Sequence, residues 1–142
     1  MRLKDKAIII TGGTSGIGAA IATAAIREGA KVLVHGINEA EGKATVERLG
    51  SNAVLCIADL MKDDAPQIIV KSALAAFGKI DGLVNNAAIF GGTNISDQSV
   101  EHFRAMVQVN LAAPLFLIQA AFEELKKSGG AVLNIGSINA HA

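Results

Sequence analysis

IIITGGTSGIG, residues Ile8 to Gly18, sets an apolar run against a cluster of glycines, and the glycines open directly into the alanine-rich segment AAIATAAI. The first half reads as a strand and the segment after it as a helix. Gly12, Gly16 and Gly18 occupy the turn between them. Backbone N–H groups in a helix's first turn lack intrahelical partners there, and the helix dipole favours an anion. A side chain in that turn would hold a phosphate away from the backbone. A triphosphate-binding loop needs a lysine after its last glycine, and Ala19 and Ala20 stand in that region instead, which disfavours nucleoside triphosphate chemistry.

The pattern continues along the chain. Four β-rich runs, Ala7 to Ile10, Lys31 to His35, Ala53 to Ile57 and Gly82 to Asn85, are each followed by a longer segment of helical character, and a fifth run covers Ala131 to Ser137. Runs that are apolar throughout suit strands covered on both faces, as in a parallel sheet. The expected class is α/β. Gly29 follows the first helix, Asn38 can cap the second and Gly50 close it, and Asp63 with Asp64 places negative charge at the start of the third. Asp97 or Ser99 can begin a long fourth stretch running towards Lys126 and Lys127, with a kink expected near Pro114.

Composition narrows the function classes. Apolar residues make up 51% of 142, ample for a core in one domain. Lysine plus arginine and aspartate plus glutamate balance at 13 each, so charge suggests neither a nucleic-acid partner nor an acidic tail. The lone Cys56 lies inside the apolar run AVLCIA, a buried thiol that points to a reducing, cytoplasmic setting. No run reads as a signal segment or as long enough to span a bilayer, so no membrane partner is expected. His35, His102 and His141 show no ligand spacing, and no metal site is proposed.

The spacing T-G-x-x-x-G-x-G in TGGTSGIG resembles the cofactor turn of the short-chain dehydrogenase/reductase family. Further positions agree: Asp59-Leu60 after the third strand, Asn85-Asn86-Ala87-Ala88 after the fourth where the family has N-N-A-G, Asn110 in VNLAAP, and Ser137 in NIGSI. Ala88 departs from the family glycine by one methyl. The resemblance implies a doubly wound, Rossmann-like parallel sheet of strand order 3-2-1-4-5, with strands one and four flanking the switch point where ligands sit. It implies that Gly12, Thr14, Ser15, Gly16, Ile17, Gly18, Gly36, Ile37, Asn38, Asp59, Leu60, Asn86, Ala87 and Ala88 contact a nicotinamide dinucleotide. Asp59 would accept from the adenine amino group, although a turn aspartate explains it locally; Asn85 to Ala88 suits a sharp turn and equally a close approach to ribose. Ser137 and Asn110 would be catalytic, Asn110 by supporting a proton-relay water.

In dinucleotide sheets an acidic residue about twenty positions past the glycines binds the 2′-hydroxyl of NAD, whereas an arginine accommodates the 2′-phosphate of NADP. Gly36 and Ile37 supply neither charge, and Thr14-Ser15 offers hydroxyls. Loss of the carboxylate removes repulsion against phosphate, and NADP(H) is expected over NAD(H).

The family's reaction needs a tyrosine to exchange a proton with the substrate oxygen and a lysine to lower its pKa. The chain contains no tyrosine. Residues 1–142 are therefore expected to be one dinucleotide-binding domain, incomplete on its C-terminal side and the N-terminal part of a longer oxidoreductase acting on a carbonyl or alcohol. Alone, it is expected to bind cofactor without turnover. The alternative is a non-catalytic dinucleotide-binding or interaction protein. The stretch Leu111 to Phe122 is apolar nearly all round, and a homo-oligomer is expected from it.

Overall fold

Every all-apolar run forms a strand in the computed structural model, which describes residues 1–91 and 94–137. The strands are β1 (Ala7–Ile10), β2 (Lys31–Gly36), β3 (Ala53–Ile57), β4 (Gly82–Asn85) and β5 (Ala131–Asn134), and the helices are α1 (Gly16–Arg27), α2 (Glu39–Leu49), α3 (Ala65–Phe77), α4 (Val100–Val107) and α5 (Ala113–Ser128). All strand pairs are parallel, in the order β3-β2-β1-β4-β5. The inner strands β2, β1 and β4 are buried from both sides, which is why their central residues carry no polar alternation, whereas the edge strands β3 and β5 are partly or largely exposed.

The period of two along the strands divides the core. Ile9, Leu33 and Leu83 join Ile69 and Ala73 of α3 and Leu117 and Ala121 of α5. Ile10, Val32, Val34 and Val84 face Ala22 and Ala25 of α1, with Val46 and Leu49 of α2 alongside. Helices thus cover both faces of a doubly wound sheet, as expected. Cys56 is buried and its thiol is pushed up by desolvation, with Ser72 acting in the opposite sense.

Helix ends follow local chemistry. Asn38 caps α2 by accepting from the Glu41 amide, and Gly50 closes that helix; of the two candidates for the fourth stretch, Ser99 is the cap. Three boundaries differ from the sequence expectation. β5 ends at Asn134, so Ser137 lies beyond the strand, and β2 runs one residue further, to Gly36. The break expected near Pro114 is a π-helical turn over Gln108–Ala112, in which the Ala113 amide reaches back to the Gln108 carbonyl. Pro114 follows at once in the first turn of α5, inside a stretch that is helical on both sides, so the wider turn coincides with the place where proline cannot supply a helical N–H.

The expectation that no run could span a bilayer also needs correcting. Among the described residues, Val100–Ser128 forms one helical stretch of 29 residues that contains an 18-residue window of mean hydropathy 1.6, long and apolar enough by composition. Ala113, Leu117, Ala121 and Leu125 recur every fourth residue and are buried on the sheet. One face of the helix therefore packs on the sheet, while Leu111, Leu115, Phe116 and Phe122 on other faces are exposed.

At the amino ends of the strands, Asp81 joins β1 to β4. Its carboxylate accepts from the Ala7 amide and pairs with Lys6 and Lys79 at 2.9 and 3.0 Å. Burial raises its pKa, but that amide and the two ammonium groups outweigh burial and hold the carboxyl below the usual range. The carboxyl ends are left for the site.

Candidate functional site

The glycine turn after β1 is shaped by β4. The buried Thr11 hydroxyl donates to the Val84 carbonyl at 3.4 Å and accepts from the amides of Asn86 and Ala87, both at 3.0 Å. The Asn86 side-chain amide donates to the carbonyls of Thr11 and Gly12 at 2.9 and 3.1 Å. A Cβ on Gly12 would stand 2.9 Å from the Ala87 backbone, and one on Gly18 would run into the Gly12 carbonyl. These glycines permit close backbone packing across the switch point.

Gly16 is different. Its φ of +51° suits glycine, and nothing lies within 4 Å of where its Cβ would be. The protein leaves that space open. Beside it, Ser15 is the N-cap of α1 but makes no side-chain cap bond, so the helix does not cover its own first amides. Ile17 is exposed on the same turn.

β2 supplies a second tie. The His35 carbonyl accepts from the Gly13 amide at 2.8 Å. Its ring is buried, with Nδ1 taking the Gly12 amide at 3.3 Å and Nε2 lying 2.9 Å from the Ala58 carbonyl. A carbonyl only accepts, so the proton sits on Nε2 and the ring is neutral. Burial pushes the imidazole pKa down, against a smaller opposing effect of the Ala58 carbonyl.

These strand ends converge on a cleft of about 550 Å³. Of the residues expected to hold a dinucleotide, Gly12, Thr14, Ser15, Gly36, Ile37, Asp59, Leu60, Asn86, Ala87 and Ala88 line it. Gly16, Ile17, Gly18 and Asn38 are not in its wall; Gly16 and Ile17 open α1 beside it, Gly18 packs on Gly12, and Asn38 caps α2. Asp59 serves as a turn aspartate, its Oδ1 accepting from the Met61 amide at 2.9 Å, and also faces the cleft. Asn85 donates to Asn134 across the β4–β5 pair at 2.8 Å.

Asn110 sits within the π-helical turn, and its amide closes on one residue: Oδ1 accepts from the Ile89 amide at 2.9 Å and Nδ2 donates to the Ile89 carbonyl at 2.7 Å. Ile89 lines the cleft. Ser137 is exposed beyond β5, and His141 lies outside the described residues.

Sequence reasoning missed three contributors. Thr11, the first letter of the motif, is a structural hub, and its signal was a hydroxyl at the end of an all-apolar strand. His35 was set aside for want of ligand spacing. Glu41 lines the cleft and accepts from the Thr14 hydroxyl at 3.0 Å; its place three residues after Asn38 reads as the reciprocal half of a capping box.

Comparison with known proteins follows the same lines. The short chain dehydrogenase family model matches residues 6–142. The chain is 40% identical over 141 residues to an uncharacterized oxidoreductase of Thermotoga maritima, covering 96% of this chain and 55% of that protein. It is 36% identical to mouse L-fucose dehydrogenase, covering 96% of this chain and 50% of the relative. It is 35% identical to L-rhamnose 1-dehydrogenase (NAD(P)(+)) of Azotobacter vinelandii, covering 99% and 58%. The chain spans about half the length of the curated relatives it matches. Its strand order, its glycine turn and the match over residues 6–142 agree: the chain belongs to the short-chain dehydrogenase family.

Proposed function

We propose that residues 1–142 form the dinucleotide-binding unit of a longer NAD(P)-dependent oxidoreductase that interconverts a small carbonyl compound and its alcohol. The observation that carries this reading is the convergence of four strand ends on one cleft beside a helix N-terminus that has no side-chain cap. The open face of Gly16 fits a pyrophosphate, because an anion there can meet backbone amides without displacing a side chain. Asp59 would take the adenine amino group, Gly36 and Ile37 would flank the adenosine ribose, and Asn86 to Ala88 would face the other ribose. When bound, the nicotinamide supplies or accepts hydride.

In this reading Ser137 orients the substrate oxygen. Asn110 fixes the Ile89 wall of the cleft; each of its two amide atoms retains capacity for one more hydrogen bond, where a relay water would attach. Residues 1–142 hold no tyrosine to deliver the proton. The piece alone is therefore expected to bind dinucleotide without turnover. The expected choice of NADP(H) rests on the lack of a carboxylate at Gly36 and Ile37, but Glu41 brings one to the same wall of the cleft, so the reading is held to NAD(P)(H). A homo-oligomer fits the exposed stripe Phe103, Val107, Leu111, Leu115 and Phe122, and a cytoplasmic setting fits the buried, free thiol of Cys56.

The test is calorimetric titration of NADH and NADPH, followed by dinucleotide oxidation with a panel of activated ketones. Binding of either dinucleotide is expected, with turnover only in a form carrying a downstream Tyr-x-x-x-Lys segment. Absence of any dinucleotide binding would refute the reading, and turnover by a mass-verified 142-residue chain that Ser137→Ala abolishes would refute its catalytic half. Light scattering across a concentration series tests association; a monodisperse monomer would count against the oligomer.

A further inference from the structure

Gly36, at the carboxyl end of β2, is where a dinucleotide sheet commonly places the carboxylate that reads the adenosine ribose. In this chain a side chain there would have to displace Thr14. A Cβ on Gly36 would stand 2.5 Å from Cγ2 and 2.9 Å from Oγ1 of Thr14. Thr14 is itself buried and fixed, its carbonyl accepting from the Thr45 hydroxyl at 2.7 Å. The space beside β2 belongs to the threonine, and the threonine brings a carboxylate of its own. Its hydroxyl donates to Oε2 of Glu41 at 3.0 Å, and both side chains line the cleft with Gly36 and Ile37.

Glu41 is the third residue of α2, the position from which a glutamate ordinarily turns back to its own helix cap. Asn38 makes its half of that exchange, accepting from the Glu41 amide at 3.0 Å. The Glu41 carboxylate turns to Thr14 across the cleft wall. Electrostatics on that wall is one-sided: Glu41 and Asp59 line the cleft, and among the described residues no lysine or arginine does. The nearest basic residue along α2, Lys43, pairs with Glu39.

We propose that Glu41, held by Thr14, determines the dinucleotide choice: its carboxylate accepts from the adenosine ribose hydroxyls and repels a 2′-phosphate, so that NAD(H) is taken over NADP(H). This rests on the cleft being the dinucleotide site. The 2′-phosphate would bring like charge against Glu41 with no cation to offset it. The device differs from a carboxylate on the end of β2 in that the acid comes from the following helix and is aimed by a residue of the glycine turn.

The experiment titrates NADH and NADPH by calorimetry into the full-length chain and its Glu41→Gln and Thr14→Val variants, with folding checked by circular dichroism. Adenosine 5′-monophosphate and adenosine 2′,5′-bisphosphate repeat the contrast without the nicotinamide half. The native chain is expected to hold NADH at least about tenfold more tightly than NADPH, the scale of one like-charge contact in a partly screened site. Glu41→Gln is expected to bring the two within about threefold, chiefly by improving NADPH, and Thr14→Val to narrow the gap part of the way. A native preference for NADPH, or an unchanged ratio in Glu41→Gln with NADH still bound, overturns the assignment while leaving the dinucleotide reading intact. Failure of the native chain to bind either compound overturns both.

Discussion

His35 accepts the amide proton of Gly12 on Nδ1, at 3.3 Å. The ring can do so only while neutral, and burial already holds its pKa below the ordinary 6.5. The unfolded chain therefore takes up a proton at higher pH than the folded one. Stability is complete above about 6.5 and is lost as pH falls through the folded value. Melting temperatures between pH 7.5 and pH 5.0 are expected to drop more steeply for the native chain than for His35→Leu. At neutral pH that variant should be less stable by about 1–3 kcal/mol, because two backbone groups lose their partner. Parallel pH profiles would show that His35 is not the titrating group.

Thr11 joins β1 to β4 through three contacts of one hydroxyl. Thr11→Val keeps the shape and strands the amides of Asn86 and Ala87. Urea unfolding is expected to show a loss of about 2–4 kcal/mol, whereas Thr11→Ser, which keeps the oxygen, should lose about 1 kcal/mol or less. Equal losses in the two variants would assign the effect to packing.

Gly16 and Gly18 should separate under the same substitution. Gly18→Ala drives a methyl into the Gly12 carbonyl and is expected to disrupt the turn and lower stability severely. Gly16→Ala meets open space and pays only for its positive φ, roughly 1–2 kcal/mol, yet should lose dinucleotide affinity at least about tenfold if backbone and pyrophosphate meet there. Calorimetry beside thermal melts distinguishes the two effects. Unchanged affinity in a folded Gly16→Ala protein would remove Gly16 from the site.

Gly36→Asp, the obvious way to install a ribose-binding acid, is expected to impair folding and binding because Thr14 fills the space. Combining it with Thr14→Ala should recover at least about 1 kcal/mol of the lost stability, the coupling expected of residues in direct contact. Strict additivity in the double-mutant cycle would show that the clash relaxes at no cost.

The sheet could be read from the sequence because each strand has an apolar centre and several are bounded by glycine or a helix cap, as with Ala7–Ile10 before Gly12 and Lys31–Gly36 before the Asn38 cap of α2. Strand order came through the family resemblance, whereas the gathering of Gly12, Asp59 and Asn86 at one end follows from each of them standing just past a strand of a parallel sheet. The π-helical turn around Asn110 was not legible, since Pro114 marks a disturbance in the helix without giving its form. Nor were the partners of Thr11, His35 and Glu41. Their roles depend on residues brought near by the crossovers, and nothing local in the chain distinguishes a buried imidazole that latches a turn from one that merely fills space.

The ties on the glycine turn are long-range ones. Thr11 meets Val84, Asn86 and Ala87 across 73 to 76 residues of chain, and Gly12 meets His35 across 23. A peptide carrying only the glycine stretch and α1 has none of these partners. The cradle is therefore complete only when three separate strands have docked, and it belongs to the late, non-local stage of folding. Once complete, it is tied to the carboxyl ends of the three central strands. A ligand held there stabilises the whole β2-β1-β4 unit in proportion to its affinity, and slowed amide hydrogen exchange on ligand binding should extend to the backbone of Leu83 and Val84, well outside the glycine motif.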